Sequence, residues 1–93
     1  MAIKIKPTER GFSRGEFIDR YGVKCSIQES SLATEHCIWL GCNDAEPKVC
    51  TEEGWKLVEL PPDTVCHTRM HLTQDMVKQL LPLLEKFAKT GEL

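Results

Sequence analysis

The chain changes from strand to helix within ten residues, His67-Thr68-Arg69-Met70-His71-Leu72-Thr73-Gln74-Asp75-Met76. Before Thr73, Met70 and Leu72 alternate with polar residues, which is the period of a strand with one buried face. After Thr73, apolar residues recur at intervals of three and four, the spacing of one helix face. These residues are Val77, Leu80, Leu81, Leu84, Phe87 and Ala88. The pattern therefore predicts a strand that continues into a C-terminal helix without a linker.

The ends of the predicted helix are also marked in the sequence. Thr73 is a favourable N-cap, and Gly91 can end the helix in the left-handed conformation. The apolar stripe of such a helix needs a surface that covers it. We therefore expect Leu84 and Phe87 to be buried against the sheet.

Two strand patterns precede this region. Alternating residues lie on both sides of the turn Asp19-Arg20-Tyr21-Gly22, where Gly22 would supply a positive φ. Residues Cys37-Ile38-Trp39-Leu40-Gly41-Cys42 form a dense apolar strand, in which Trp39 is expected to anchor the core. We predict an α+β fold, with an antiparallel sheet of three to five strands and one C-terminal helix packed across it.

Length and composition fit one small soluble domain over residues 1–93. The hydrophobic fraction of 41% and the charged fraction of 28% are ordinary, and no apolar run approaches a membrane span. Residues 1–14 are expected to form a basic N-terminal tail or an edge strand, and residues 43–65 an acidic central loop or hairpin arm. No secretory leader pattern opens the sequence, so we expect a cytoplasmic location in a bacterial host cell.

The middle of the chain is acidic. Between Glu29 and Asp63 there are eight acidic residues and two lysines, a local charge of −6, although the whole chain carries only −2. This charge disfavours direct nucleic-acid binding there and favours a partner with a basic surface. The predicted partner-binding residues are Glu46, Glu52, Glu53, Trp55 and Glu59. The alternative is a solvated loop that only keeps the protein soluble.

Five cysteines raise the question of a metal. An odd number of thiols in a reducing compartment argues against a disulfide framework. Should zinc bind, its ligands would be Cys42, Cys50, Cys66 and His67, with His71 nearby. Their intervals differ from the tight Cys-x2–4-Cys spacing of structural zinc sites. The sequence therefore predicts no metal and no cofactor.

Two other kinds of site are weakly supported. Ser30 or Ser31 with His71 as base could form a nucleophilic pair, but no elbow motif surrounds the serines and nothing in the sequence places His71 within their reach. No catalytic residue and no enzymatic activity are therefore predicted. A nucleic-acid-binding patch would use basic and aromatic residues near the N-terminus, diluted by Glu9 and Glu16. Its residues would be Lys4, Lys6, Arg10, Arg14, Phe12 and Phe17.

Several segments together resemble a known group of proteins. They are Tyr21-Gly22, Cys25-Ser26-Ile27-Gln28-Glu29-Ser30-Ser31-Leu32-Ala33, Ile38-Trp39-Leu40-Gly41, Arg69-Met70-His71-Leu72-Thr73 and Leu80-Leu81-Pro82-Leu83-Leu84 with Phe87. The pattern resembles small uncharacterised proteins encoded by bacteriophages and prophages, and it skips the central acidic segment. Small phage accessory proteins are often inhibitors or adaptors, anti-CRISPR proteins among them.

The sequence and this resemblance together lead to a functional hypothesis. The chain is expected to be a non-enzymatic protein-binding module, with a phage or prophage inhibitor of a bacterial defence nuclease as the specific prediction. The expected partner is a bacterial enzyme with a basic surface, no membrane is involved, and a homodimer stays open. The alternative is a small metal-stabilised domain that binds nucleic acid.

Overall fold

Five strands form one antiparallel sheet in the computed structural model, which describes residues 3–93. Its strands are β1 (Ile5–Pro7), β2 (Ser13–Ile18), β3 (Lys24–Glu29), β4 (Cys37–Cys42) and β7 (Arg69–Thr73), in the spatial order β1-β2-β3-β4-β7. A separate hairpin consists of β5 (Lys48–Thr51) and β6 (Gly54–Leu57), and the chain ends in helix α1 (Gln74–Thr90). The predicted α+β fold, with an antiparallel sheet and one C-terminal helix, is confirmed.

The turn between β2 and β3 has the predicted geometry. The Asp19 carboxylate accepts hydrogen bonds from the backbone N–H groups of Tyr21 (2.8 Å) and Val23 (2.9 Å). Gly22 has a φ of +81°, a conformation that costs glycine little. The sequence predicts this turn because it needs a side-chain acceptor at Asp19 and a residue that tolerates a positive φ at Gly22.

The strand register gives the sheet two different faces. Directly opposed residues lie on the same face, and residues two apart along a strand share it. One face, called the apolar face, carries Ile5, Phe17, Cys25, Ile27, Ile38, Leu40, Cys42, Met70 and Leu72. The other, called the polar face, carries Lys6, Arg14, Gln28, Trp39, Arg69 and His71. The two sides therefore differ sharply in chemistry.

Gly41 allows the segment before β7 to approach β4. A Cβ atom at Gly41 would lie 2.5 Å from the Thr68 carbonyl oxygen, and the residue has a φ of +148°. That carbonyl accepts a hydrogen bond of 3.0 Å from the Cys42 N–H. A side chain at Gly41 would therefore disturb the point where β7 joins the sheet.

Helix α1 begins and ends at the predicted residues. The Thr73 hydroxyl accepts a 3.2 Å hydrogen bond from the Met76 N–H, and Gly91 ends the helix with a φ of +76°. In contrast, the expectation that Leu84 and Phe87 are buried against the sheet is wrong, because they are 57% and 55% exposed. The helix makes its main contact with β7, the strand from which it directly continues.

Little of the described chain is buried. Cys25 is the only buried apolar side chain in residues 3–93, and Ser26 beside it is fully buried. The remaining side chains of the apolar face are half-buried or exposed. Over residues 3–93, the sheet is thus held mainly by its hydrogen-bonded ladders, and its apolar face is not closed into a hydrophobic core.

Candidate functional site

The β5–β6 hairpin brings the five predicted partner-binding residues onto one arm. Glu52 and Glu53 form its tip, and Trp55 lies on β6. Glu46 precedes β5 and Glu59 follows β6, and all five residues are exposed. The extended backbone of the arm thus collects, in one region, carboxylates that are up to thirteen positions apart in the sequence.

The hairpin tip is ordered by local hydrogen bonds. The Thr51 hydroxyl donates to the Gly54 carbonyl oxygen over 2.6 Å and accepts from the Glu53 N–H over 3.3 Å. The Lys56 ammonium lies 2.6 Å from a Glu53 carboxylate oxygen, and both side chains are exposed. Glu52 therefore carries the negative charge at the tip that no lysine of the hairpin neutralises directly.

One side of the hairpin carries most of its apolar side chains. Cys50 lies opposite Trp55, and Lys48 lies opposite Leu57, so these side chains share a side. Trp55 is 70% exposed and Leu57 is 65% exposed. The hairpin packs extensively against no other strand or helix among residues 3–93. Trp55 and Leu57 thus form an exposed apolar patch on the arm, and contiguous patches of this kind mark interaction sites.

The charge of this arm has one dominant sign. Residues 43–65 contain six acidic side chains and two lysines. Lys56 neutralises Glu53 locally, but the two lysines cannot balance six carboxylates, so the arm keeps a net negative charge. This arrangement favours encounter with a basic surface and disfavours a phosphate backbone.

A second cluster occupies the polar face of the sheet. The Trp39 and His71 rings stack at 3.8 Å between centroids with an interplanar angle of 7°. The Gln28 side-chain oxygen accepts hydrogen bonds from Arg14 (2.6 Å) and Arg69 (3.2 Å). Arg69 also lies 5.5 Å from the centre of the Trp39 ring. Two guanidinium groups and an aromatic pair are thus held together by one amide.

The position of Trp39 corrects the expectation that it anchors the core. Its strand partners place it on the polar face, where it is half-buried beneath His71 and Arg69. Strand β4 has almost no polar residue, so alternation could not indicate which of its sides faces solvent. Its stacking partner, His71, lies on β7, and the sequence alone does not show that β7 pairs with β4.

Ser30 and His71 also meet at this cluster. The Ser30 Oγ lies 2.9 Å from His71 Nε2 and accepts a 3.2 Å hydrogen bond from the Leu32 N–H. Nothing in the sequence placed His71 near the serines, and the structure brings it within hydrogen-bond reach of Ser30. Within residues 3–93, no carboxylate forms a hydrogen bond to His71 that would orient it as a general base. The pair by itself lacks the third group of a catalytic triad.

An open pocket of about 350 Å³ adjoins this cluster. Arg10, Phe12, Trp39 and Arg69 contribute to its walls, and the Arg10 guanidinium lies 5.5 Å from the Phe12 ring centre. Lys6 and Arg14 are opposed on the same face. Phe17, in contrast, belongs to the apolar face and cannot join them.

The cysteines divide into two groups. Cys25 and Cys42 face each other across β3 and β4, and burial, followed by the proximity of Cys42, raises the pKa of the Cys25 thiol. Burial likewise raises the pKa of the Cys37 thiol, with Glu35 adding to the effect. A raised thiol pKa disfavours the thiolate that binds metal or attacks substrates.

The possible zinc ligands are not assembled. Cys50 lies on the hairpin, Cys66 and His67 lie in the exposed segment before β7, and Cys42 ends β4. Across residues 3–93, no three histidine, cysteine, aspartate or glutamate side chains are close enough to hold a metal ion together.

Comparison with known proteins adds no family. No protein-family model, no curated protein and no solved structure matches the chain. In the described part of the chain, α1 is too short and too polar to be a membrane-spanning helix.

Proposed function

We propose that this protein is a non-enzymatic protein-binding module whose contact surface is the acidic β5–β6 hairpin. The observation that carries the proposal is the exposure of Trp55 and Leu57 on an arm that makes no extensive contact with the described sheet or helix. Tryptophan is among the residues that most often dominate binding energy at protein interfaces. The surrounding carboxylates supply charge complementarity to a basic partner.

The finer proposal names the partner and its context. We propose a phage or prophage inhibitor that acts in the bacterial cytoplasm on a defence nuclease, such as a CRISPR effector. Nucleases of this kind hold nucleic acid in positively charged channels. An acidic arm that ends in Glu52 and Glu53 has the charge to compete for such a channel, and the resemblance to phage-encoded proteins points the same way.

A comparative pull-down tests the binding proposal. Wild-type protein, Trp55→Ala and Tyr21→Ala serve as baits in a bacterial lysate, with quantitative mass spectrometry as the readout. Tyr21 is a matched control because it is an aromatic residue that is 89% exposed in the β2–β3 turn, outside the hairpin. Proteins retained by the wild type and Tyr21→Ala but lost with Trp55→Ala would support the proposal. Identical retention by all three baits would contradict it.

A cleavage assay tests the nuclease proposal separately. Purified protein is added to a guide-loaded CRISPR effector with its target DNA, and the cleavage rate is measured. We expect inhibition by the wild type and by Tyr21→Ala, and weak inhibition by Glu52→Lys, Glu53→Lys. Full cleavage in the presence of excess wild-type protein would overturn the choice of that nuclease. The more general binding proposal would then be decided by the pull-down alone.

A second candidate function is nucleic-acid binding by the polar face, without the metal. It is favoured by the convergence of Arg14 and Arg69 beside the Trp39 ring, an arrangement that suits a phosphate backbone and a stacked base. Fluorescence anisotropy with labelled single-stranded DNA and RNA tests it. Binding that weakens with Arg69→Gln but not with Arg20→Gln, an exposed turn residue, would support this function. Absence of binding at low salt would exclude it.

A further inference from the structure

One chain exposes far more surface than a folded monomer of its size. Its accessible surface is 8276 Å², whereas a compact monomer of 10.6 kDa exposes about 5,500 Å². The radius of gyration is 16.2 Å, against about 12 Å for a compact domain of 93 residues. About 2,800 Å² per chain is therefore left uncovered, which is as much as large obligate interfaces bury on one partner.

Two apolar surfaces contribute to this excess, beside the projecting hairpin. The first is the apolar face of the sheet, on which Ile5 and Met70 are exposed and Leu40 is only half-buried. The second is the apolar stripe of α1, whose residues from Leu80 onward are all exposed. A helix with an apolar stripe and a sheet with an apolar face are the two layers of an ordinary α+β core. Here both layers are present, but the helix does not pack across the sheet, so both apolar surfaces are exposed to solvent.

The connection between β7 and α1 prevents one chain from closing this core. Thr73 is both the last residue of β7 and the N-cap of α1. A helix that folds back across its own sheet needs a reversal of chain direction, which commonly takes a connection of about two to six residues. With no residue between the elements, α1 leaves the sheet from its edge strand. Val77, in the first turn, is half-buried near Ile38 and Leu72, and the later apolar residues are exposed.

We propose that two copies of this chain exchange their C-terminal helices. In the resulting two-fold dimer, α1 of each copy lies across the apolar face of the other copy's sheet. Leu80, Leu84 and Phe87 of each helix fill the space over Ile27 and Leu40 of the other sheet. Thr73 and Gln74 form the hinge, and short hinges that hinder closure within one chain are known to promote such exchange.

A second copy fits these surfaces better than an unrelated protein does. Each chain supplies one exposed apolar helix stripe and one exposed apolar sheet face. A reciprocal exchange between two chains therefore covers all four of these surfaces. A foreign partner would have to supply both a sheet and a helix of the matching sizes. The two-fold arrangement also closes, so it predicts pairs and no open filament.

The dimer leaves the candidate binding arm free. The β5–β6 hairpin contributes nothing to either apolar surface, and its tip residues lie outside the exchanged elements. The exchange therefore does not depend on the proposed function. Substitution of Trp55 should leave the dimer intact. Loss of the dimer should not by itself abolish partner binding by the hairpin.

Sedimentation equilibrium of the whole protein tests the exchange. The wild type should have a mass of about 21 kDa, twice the 10.6 kDa of one chain. Leu84→Glu should lower the mass to one chain or abolish folding. Lys86→Glu introduces the same residue on the opposite side of the helix and should remain a dimer. A wild-type mass of one chain, a series of larger species, or an unchanged dimer in Leu84→Glu would overturn the proposal.

A hinge insertion distinguishes exchange from side-by-side pairing, and it does not rely on a destabilised variant. Gly-Ser-Gly-Ser is inserted between Leu72 and Thr73, so that Thr73 still caps the helix. The longer connection lets α1 fold onto its own sheet, and we expect a folded monomer with native-like circular dichroism. A variant that stays dimeric, or that is unfolded, would contradict helix exchange.

Discussion

At the scale of single residues, the tightest constraint in the fold is Gly41. Its positive φ and the close Thr68 carbonyl oxygen exclude a side chain for two separate reasons, backbone strain and overlap. Gly22 shares the positive φ, but within residues 3–93 no atom other than those of its chain neighbours lies within 4 Å of the Cβ position there. Substitution at Gly22 therefore measures the cost of backbone strain alone, whereas substitution at Gly41 measures strain together with steric overlap.

Gly41→Ala should accordingly destabilise the protein by about 2–4 kcal/mol, since strain and overlap add. Gly22→Ala should cost only about 1 kcal/mol, because strain acts there alone. Urea denaturation followed by tryptophan fluorescence measures both values. Equal losses for the two variants would show that the approach of Thr68 to β4 does not constrain Gly41.

Glu29 gives the fold a defined response to acid. The Ser13 N–H donates a 2.7 Å hydrogen bond to its carboxylate, and this bond is the main cause that lowers the pKa of Glu29 from its ordinary value. A lowered pKa in the folded state contributes stability above the unfolded-state pKa, and that contribution is lost as the pH falls through the folded-state value.

Wild-type protein should therefore lose its advantage over Glu29→Gln when the solution is acidified. Glutamine keeps a hydrogen-bond acceptor but no charge, so the two proteins should differ in melting temperature at about pH 7, and the difference should shrink as the pH falls through the lowered folded-state pKa of Glu29. Thermal melts across this range provide the measurement. A difference that is constant over the whole range would mean that the charge of Glu29 plays no part.

Some residues could be placed from the sequence and others could not. Gly22, Thr73 and Gly91 were predictable because turns and helix ends select residue types by local backbone chemistry. The Ser30–His71 contact joins residues 41 positions apart, and it depends on the pairing of β4 with β7. Local pattern carries no information on such a pairing.

At the scale of elements, the hairpin and the helix differ in what their sequences determine. The helix pattern determines which side of α1 is apolar, but not which molecule covers that side. The hairpin pattern was weak because Trp55-Lys56-Leu57 alternates over only a few residues, although its acidic charge was plain from composition. The candidate contact residues were thus found by charge, and the structure adds the apolar side next to them.

Charge reversal at the hairpin tip should slow association with the captured partner. Glu52→Lys with Glu53→Lys should lower the on-rate roughly tenfold or more at low salt, because exposed charges mainly steer encounter. Wild-type association should itself slow as ionic strength rises. Surface plasmon resonance at two salt concentrations measures both effects, and circular dichroism confirms the fold.

The matched control carries the same total charge change elsewhere. Glu35→Lys with Glu92→Lys reverses two exposed carboxylates outside the hairpin and should leave the on-rate close to that of the wild type. If this control slows association equally, the overall charge of the protein governs the encounter. The hairpin would then return to the role of a solubilising arm.

At the scale of the whole molecule, stability and binding are assigned to different parts. The sheet and helix expose apolar surfaces that the proposed helix exchange would cover, and the acidic hairpin stands outside them. Composition already showed a chain of ordinary hydrophobic content, 41%, which is enough for a core. The sequence did not suggest the proposed division of this core between two molecules. That proposal depends on the absence of a linker between β7 and α1, which is apparent only once both boundaries are known to meet at Thr73.

The concentration dependence of thermal unfolding tests this division most directly. When folding is coupled to the association of two chains, the melting temperature rises with protein concentration. Between about 1 µM and about 100 µM, we expect a rise of roughly 5–10 °C for a dimer of two such chains. The hinge-insertion variant, as a folded monomer, should show no such rise. A wild-type melting temperature that is the same at both concentrations would contradict a core built from two chains.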